Sequence, residues 1–313
     1  MSLFSISSRI HTSTPFISTW KTDNTGSTVT TSTRIKIPTI STGKYNCRVY
    51  WGDGNFNDIT TYNDIAWTHT YSSAGTYTIT IHGVFEGFCF NGAGDASKIV
   101  NISQWGTKFR LGDSEGFFYT CDNLTITATD ILNTSGSIYW GAAFSYCPLI
   151  TSIPNIGKWN MSEVESLAFC FEGSPSISNI NEIASWNVGK CSDFSYMFLG
   201  LTGFNADISG WDVKNAVYLD GMLQDCTSFN RSLGSWPLPA LTSAYNMLRG
   251  VTLSKANYNA TLAGWGVAST NSGVTFSGGN SHYDSSTGGY NGTAGRTYLT
   301  GTKGWTITDG GTP

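Results

Sequence analysis

The sequence predicts a mainly β protein in which a small β-sandwich is followed by a repeat solenoid and a C-terminal cap. The main observation is a tryptophan that returns at spacings of 27, 25, 25 and 29 residues, at Trp159, Trp186, Trp211, Trp236 and Trp265. Self-similarity at a nearly fixed period indicates a repeat architecture. The second observation is a series of short alternating segments before residue 95, separated by turn residues. That arrangement is typical of a sandwich.

Each repeat has a second characteristic position, a bulky apolar residue twelve positions after its tryptophan, which we call the marker. The markers are Phe171, Phe198, Leu223 and Leu248, and Phe118 and Phe144 extend the pattern upstream. Between tryptophan and marker, apolar residues recur at every third position, a period that suits neither a strand nor an α-helix. We therefore predict coils that turn their apolar residues inward and stack to bury them.

Small or apolar side chains recur three residues after the markers. This position holds Cys121, Cys147, Ser174, Leu201, Cys226 and Val251. A position that accepts thiol, hydroxyl and aliphatic groups is predicted to be a small buried slot, in which cysteine acts as a small hydrophobe. A disulfide between Cys121 and Cys147 stays open as the alternative. The tryptophan column is predicted to be core rather than an exposed platform for sugar rings.

The positions between the apolar ones are predicted to point outward, and they vary freely in charge and size. The candidate binding face consists of Glu163, Glu165, Lys190, Asp193, Lys214, Asn215, Tyr218 and Thr242. Variation from unit to unit is expected of a presented surface. Because no residue type recurs in one column, the sequence specifies no repeat-by-repeat ligand code.

The predicted sandwich rests on alternating apolar and polar residues. Segments 28–40, 45–51 and 77–81 alternate as half-buried strands do. Residues 51–54, Trp-Gly-Asp-Gly, form a turn signal between two such segments. Several short strands joined by turns of this kind favour two packed sheets.

These patterns divide the chain into four predicted parts. Residues 1–19 form an N-terminal segment that would act as an attachment arm, and residues 20–97 form the β-sandwich. Residues 98–266 form the solenoid. Residues 267–313 are rich in Gly, Ser, Thr and Tyr and form the cap that a solenoid needs to close the end of its core. The apolar residues assigned to this cap are Tyr298, Leu299, Trp305 and Ile307.

Composition narrows the function classes. Only 12% of the residues are charged and the net charge is −4, so nothing electrostatic favours nucleic acid as a partner. The chain has no run of 18 apolar residues, so membrane insertion is not predicted. Seven cysteines without tight spacing argue against a disulfide framework, and four scattered histidines argue against a zinc site.

Aspartates are the remaining candidates for chemistry. Asp53, Asp58 and Asp64 lie near the sandwich turn and are the candidate Ca²⁺ ligands, although a turn-capping role is favoured for Asp53. Paired carboxylates for glycoside hydrolysis would have to come from Asp193, Asp207, Asp212, Asp220 and Asp225. Solvated loop charges explain these side chains more simply. We therefore predict no cofactor and no enzymatic activity.

Two stretches resemble known families. Segments 51–54, 69–71 and 75–81 read Trp-Gly-Asp-Gly, His-Thr-Tyr and Gly-Thr-Tyr-Thr-Ile-Thr-Ile, and they resemble a PKD-like domain. The repeats, with Trp-Asp-Val at 211–213 and Ser-Phe-Asn at 228–230, resemble BspA-type leucine-rich repeat surface proteins. The resemblance implies an immunoglobulin-like sandwich followed by a leucine-rich-repeat-type solenoid with a C-terminal cap. It also implies adhesion and display on bacterial surfaces, with some members encoded by phages.

The first 20 residues lack the charged start and apolar core of a secretory signal, while the body has the composition of an exterior protein. A phage structural protein reconciles these two properties. We expect a non-enzymatic virion surface protein, either a capsid decoration, a fibre or a tail adhesin, which attaches to a host-surface glycan or protein. Its N-terminal region would contact other virion proteins, and oligomer formation is left open. The alternatives are a bacterial secreted adhesin, extracellular or on the cell surface, and a self-assembling extracellular structural protein.

Overall fold

The computed structural model describes residues 13–26, 30–177 and 180–312. The chain divides into two compact units, Met1–Asn160 and Met161–Pro313, called unit 1 and unit 2 below. The fold is mainly β with a mixed sheet, and 14% of the chain is helical. Among the described residues, no helix is long and apolar enough to cross a lipid bilayer.

Unit 1 is built on a seven-stranded sheet and a small two-stranded sheet. Its strands are β1 (Phe16–Lys21), β2 (Arg34–Lys36), β3 (Lys44–Tyr50), β4 (Phe56–Ile59), β5 (Thr68–Thr70), β6 (Thr76–Glu86), β7 (Ile99–Gln104), β8 (Phe109–Arg110) and β9 (Thr125–Ile126). The large sheet has the order β4-β3-β6-β1-β7-β9, with β8 paired to β6, and β2 pairs with β5. The β6–β8 and β7–β9 pairs are parallel and the others are antiparallel.

Alternation sets which side chains of the large sheet are buried. In β3 the side chains of Tyr45, Cys47 and Val49 are buried, and Val49 lies opposite Ile81 of β6. Such a period of two places every second residue on the core face. The strands predicted at 45–51 and 77–81 are therefore confirmed. Of the segment predicted at 28–40, the described residues 30–40 contain only the three-residue strand β2.

The large sheet reaches beyond the predicted sandwich boundary at residue 97. Strand β7 begins at Ile99 and pairs with both β1 and β9. At the other end, Phe16–Lys21 is a central strand paired with β6 and β7. Of the predicted segment 1–19, residues 1–12 lie outside the described residues.

A buried ion pair fixes the start of unit 1's small sheet. Lys98 is fully buried, and its Nζ lies 3.9 Å from Asp95 Oδ1. The same Nζ donates hydrogen bonds to the carbonyl oxygens of Thr30 and Arg34 at 3.1 and 2.9 Å. Asp95 accepts from the backbone N–H groups of Thr30 and Lys36 at 2.8 and 2.7 Å. Both charges are satisfied by partners, as buried charges must be.

Unit 2 contains a ladder of backbone hydrogen bonds between segments one repeat apart. The segments run from 166 to 173, 193 to 200, 218 to 225 and 243 to 250. In each adjacent pair, four N–H groups at alternate residues donate to carbonyl oxygens of the following segment, at 2.7–3.1 Å. In the first pair the donors are Leu167, Phe169, Phe171 and Gly173. The same bonds recur in unit 1, where Gly116, Phe118 and Thr120 donate to Gly141, Ala143 and Ser145 at 2.7, 2.8 and 3.0 Å.

These segments are not β-strands, because residues two before and two after each marker have left-handed backbone conformations. In unit 2 they are Phe169, Gly173, Tyr196, Gly200, Gly221, Asp225, Asn246 and Gly250, with φ between 55° and 80°. A left-handed residue breaks the extended conformation of a strand. Only isolated parallel bridges, such as Asp193 with Tyr218, and the short strand β10 (Ser243–Ala244) occur in this ladder.

The tryptophans are core residues, as predicted, and the indole N–H groups of Trp211, Trp236 and Trp265 also link successive repeats. Trp186, Trp211, Trp236 and Trp265 are all at least 96% buried. The indole Nε1 of Trp211 donates to the Ile183 carbonyl at 3.0 Å, and that of Trp236 donates to the Ile208 carbonyl at 3.0 Å. Each acceptor lies three residues before the tryptophan of the preceding repeat. The ring thus fills the core while its only polar atom is satisfied.

The cysteine slot is also confirmed as a buried structural position. Cys226 Sγ donates to the Phe198 carbonyl at 3.0 Å, and Cys147 Sγ donates to the Phe118 carbonyl at 3.0 Å. Burial raises the pKa of the Cys147 thiol to about 12. All seven cysteines are buried and none forms a disulfide, so the alternative disulfide between Cys121 and Cys147 is not formed.

The C-terminal part of unit 2 contains two helices that the sequence analysis missed. They are α1 (Lys255–Val267) and α2 (Gly292–Gly301), and the strands β11 (Thr275–Ser277) and β12 (Thr306–Thr308) extend β10 as a parallel three-stranded sheet. Glycines let the helices approach each other closely. A Cβ on Gly295 would lie 2.2 Å from the Leu262 carbonyl oxygen, so only glycine fits there.

Candidate functional site

The predicted binding face lies wholly in unit 2, on the stretches that precede each marker. Between its members, the apolar positions Val164, Cys191 and Ala216 are fully buried. The face residues Glu163, Glu165, Lys214, Asn215, Tyr218 and Thr242 are exposed, and Lys190 and Asp193 are at least partly exposed. The alternation of buried and exposed positions follows the every-third pattern seen in the sequence.

Three contacts join a face residue to the preceding repeat, and one of them joins two face residues. Lys190 Nζ lies 2.6 Å from Glu163 Oε2. Asn215 Nδ2 donates to the Gly189 carbonyl at 2.6 Å, and Thr242 Oγ1 donates to the Val217 carbonyl at 3.0 Å. An exposed ion pair contributes only about 0–1 kcal/mol. These contacts therefore align the side chains more than they stabilise the fold.

Other face residues are held within their own repeat. Lys214 Nζ lies 2.7 Å from Asp212 Oδ2. Asp193 Oδ1 accepts from the backbone N–H of Ser195 at 2.9 Å. The face is thus a row of locally anchored charges and hydroxyls rather than one convergent pocket.

The aspartates considered for hydrolysis are also held locally. Asp220 Oδ1 accepts from the Tyr245 N–H at 2.7 Å and from the Ser243 hydroxyl. Asp207 accepts from the Ser209 hydroxyl and N–H, and these bonds lower the pKa of its carboxyl. A glycosidase needs one carboxyl with a raised pKa as the acid. The pKa of Asp207 is shifted in the opposite direction.

The three candidate calcium ligands of unit 1 are bound to three different partners. Asp58 forms a bidentate pair with Arg48, with both N···O distances 2.7 Å. Asp64 accepts from the Ala66 N–H at the start of a short 3-10 turn. Asp53 Oδ2 lies 2.8 Å from Nε2 of His69, whose ring stacks on Trp51. Among the described residues, no group of three His, Cys, Asp or Glu side chains is placed to hold a metal ion.

Exposed aromatic residues are the feature of this surface that sequence reasoning missed. The rings of Phe169 and Tyr196 stack with centroids 5.1 Å apart and an interplanar angle of 11°. In the next repeat the equivalent residue is Gly221, and a Cβ there would lie 2.4 Å from the Tyr196 ring. Tyr245 is a further exposed ring that was missed, 56% accessible, whereas Tyr218, 46% accessible, is one of the predicted face residues. The available signal was that these aromatics fall outside the every-third apolar register.

A protein-family model matches part of the chain. Residues 141–265 match a family described as a Mycoplasma protein of unknown function, DUF285. No curated protein matches the chain. No solved structure matches it either.

The predicted resemblance to a BspA-type leucine-rich repeat surface protein with an N-terminal PKD-like domain, encoded by a phage, is wrong. The match to DUF285 stands in its place, and neither a PKD nor a leucine-rich-repeat family is detected. The backbone gives a physical reason in the repeats. Left-handed residues two before and two after each marker replace an extended strand at this point of the repeat.

Proposed function

We propose that this protein is a non-enzymatic attachment protein on the surface of a virion, and that unit 2 presents its candidate face to a host-surface glycan or protein. The observation that carries the proposal is the repeated four-bond ladder of unit 2. A ladder of this kind places equivalent side chains of successive repeats side by side, at about the 4.8 Å spacing of neighbouring strands. Exposed residues can then vary without loss of the backbone bonds.

The proposal includes a finer description of the fold. Unit 2 would be a solenoid whose coils are the successive repeats, closed by the β11 and β12 strands and the two helices. Unit 1 would contain a sandwich of its large and small sheets. The stack of Trp67, which directly precedes β5, on Phe85 of β6 supports that packing, with ring centroids 5.4 Å apart.

Two properties support the absence of catalysis and the virion setting. The thiols are buried, and burial raises the pKa of Cys47 to about 12, which makes a poor nucleophile. Seven buried cysteines without a disulfide are also typical of a chain that folds in a reducing compartment. A virion protein folds inside the infected cell and reaches the exterior later.

Mass spectrometry of purified virus particles from the source, beside the washed cell-envelope fraction, tests the proposal. We expect the protein in the particles at a fixed ratio to a capsid or tail protein. Its presence only in the envelope or the medium would refute the virion setting.

A second candidate, a bacterial surface adhesin, is favoured by the match to DUF285, because that family is described as a Mycoplasma protein. This candidate predicts enrichment in the washed envelope and surface labelling of intact cells by an antibody. In a bacterial adhesin, the ladder would likewise hold the candidate face in place, and the face would bind a glycan or protein on another surface.

A further inference from the structure

Unit 2 has an open polar cleft that lies outside the candidate face. Its volume is about 510 Å³, within the range of roughly 300–1,000 Å³ typical of small-molecule sites. Its walls come from the stretches that precede Trp211 and Trp236, from one side of α1, and from Tyr290. None of the eight face residues lines it.

Small residues let helix α1 lie directly against the backbone at the base of this cleft. A Cβ on Gly234 would lie 2.2 Å from the Ala260 carbonyl oxygen, and a Cβ on Gly264 would lie 2.2 Å from the Gly234 carbonyl oxygen. Ala260 and Gly264 are one turn apart on α1, so both face the same strip of chain. This close approach gives the cleft a rigid base.

The walls carry both a hydrogen-bond donor group and acceptor groups with unused capacity. The Nε of Arg231 donates to the Asn205 carbonyl at 3.3 Å, and within the described part of the chain its two terminal nitrogens have no hydrogen-bond partner. Asp207 uses Oδ1 for Ser209, which leaves Oδ2 as an acceptor. Asn257 donates through Nδ2 to Asn230, which leaves its Oδ1 as an acceptor.

The charge and the aromatic content of the cleft narrow the ligand class. One guanidinium and one carboxylate line it, and Arg231 helps the Ser209 hydrogen bonds to lower the pKa of Asp207. A nearly neutral lining does not favour a phosphate or another multiply charged anion. Tyr290 is 51% exposed at the cleft and offers an aromatic face. A ligand that matches this lining has hydroxyl groups that both donate and accept hydrogen bonds, together with an apolar C–H face that packs on the aromatic ring.

We propose that this cleft is a binding site for a neutral saccharide, with Tyr290 stacking on a pyranose ring and with Arg231, Asp207 and Asn257 hydrogen bonding to its hydroxyl groups. The inference goes beyond the proposed function, because the site would bind a free oligosaccharide wherever the protein is displayed. It also uses none of the candidate face.

Saturation-transfer NMR on the full chain tests the site with four neutral probes, maltotetraose, cellotetraose, triacetylchitotriose and lactose, and with the acidic trisaccharide sialyllactose. We expect saturable binding of at least one neutral probe, with a Kd of about 1 mM for so open a cleft. Sialyllactose is expected to bind no more tightly than lactose. The variants are Tyr290→Ala and Arg231→Gln, and the matched control is Tyr245→Ala, another exposed tyrosine outside the cleft.

Tyr290→Ala and Arg231→Gln should each weaken binding of that probe at least about 10-fold, equivalent to about 1.4 kcal/mol, while Tyr245→Ala leaves it unchanged. Melting curves of all three variants should coincide with that of the parent protein, since these side chains are exposed. Absence of saturable binding to all four neutral probes would overturn the proposal. Unchanged binding by Tyr290→Ala, or equal loss in Tyr245→Ala, would overturn it as well.

Discussion

Unit 1 is held together mainly by its large sheet, although it contains three of the ladder bonds, whereas unit 2 is held together mainly by its repeats. Unit 1 has one long strand, β6, that pairs with three others, and a buried Lys98–Asp95 pair that is not repeated anywhere in its described part. Unit 2 repeats one set of four backbone bonds, one buried tryptophan and two left-handed residues in each repeat. In unit 1, large losses in the free energy of unfolding should therefore be confined to substitutions at a few particular positions. In unit 2 the same substitution should have a similar effect in each repeat.

The largest effect is expected for Lys98→Met in unit 1. The change removes the donor to the Thr30 and Arg34 carbonyls and leaves Asp95 buried without its ion-pair partner. Loss of one partner of a buried pair costs about 3–5 kcal/mol in the free energy of unfolding. Urea denaturation followed by far-UV circular dichroism measures it.

Lys44→Met is the control, because Lys44 is exposed and lies 3.9 Å from Glu86. It should change the free energy of unfolding by less than about 0.5 kcal/mol. Equal effects of the two lysine substitutions would show that unit 1 does not depend on its buried pair.

A smaller effect is expected for Trp236→Phe in unit 2. The variant keeps most of the ring volume, but it leaves part of the core unfilled and removes the N–H that bonds to the Ile208 carbonyl. Together these losses should cost about 2 kcal/mol. Trp211→Phe should give the same value within about 0.5 kcal/mol, because its contact to Ile183 is equivalent. Values that differ by several-fold between the two variants would contradict the repeat description of unit 2.

Gly200→Ala isolates the contribution to stability of one left-handed residue, two positions after the marker Phe198. Gly200 has φ of 80°, and no atom lies within 4 Å of an added Cβ, so the alanine variant meets backbone strain alone. We expect a loss of about 1 kcal/mol in the free energy of unfolding. Gly210→Ala is the matched control, since its Cβ also meets open space and its φ is not left-handed. It should be neutral or stabilising by about 0.4–1 kcal/mol.

The smallest effect concerns acid stability of the C-terminal part of unit 2. Hydrogen bonds from the Thr287 hydroxyl and N–H and from the Ser286 N–H hold the pKa of Asp284 well below its ordinary value of 3.8. A carboxyl with a lowered pKa in the folded state stabilises the fold above its unfolded pKa, and this stabilisation is lost as pH falls. Asp284→Asn should therefore make the melting temperature less dependent on pH below about 4. Parallel pH profiles for the variant and the parent would contradict this.

The apolar pattern predicted the buried residues well, because buried positions require apolar side chains and these can be read directly from the sequence. The tryptophan column, the cysteine slot and the strands at 45–51 and 77–81 are all where the alternation and the period indicated. Each of these depends on side chains that must avoid water. The eight face residues were placed by exclusion from the same pattern.

The missed features depend on the backbone or on distant contacts. The left-handed residues Phe169 and Tyr196 are not glycines, so their conformation has little signature in residue type. Helix α1 was overlooked because the tryptophan period was extended through Trp265. The sequence did carry a helix start, since Ser254 caps α1 by accepting from the Asn257 N–H. The polar cleft involves Asp207, Arg231 and Tyr290, which only the fold brings together.

Binding of the labelled full chain to cells of the host strain, measured by flow cytometry, tests the central claim that unit 2 attaches to a surface through its candidate face. The test variant combines Lys190→Ala, Lys214→Ala and Tyr218→Ala, and Tyr290→Ala reports separately on the cleft. We predict saturable binding by the parent protein and at least a tenfold loss, about 1.4 kcal/mol, in the face variant at an unchanged melting temperature. Equal binding by the face variant and the parent, or no saturable binding by either, would contradict the account.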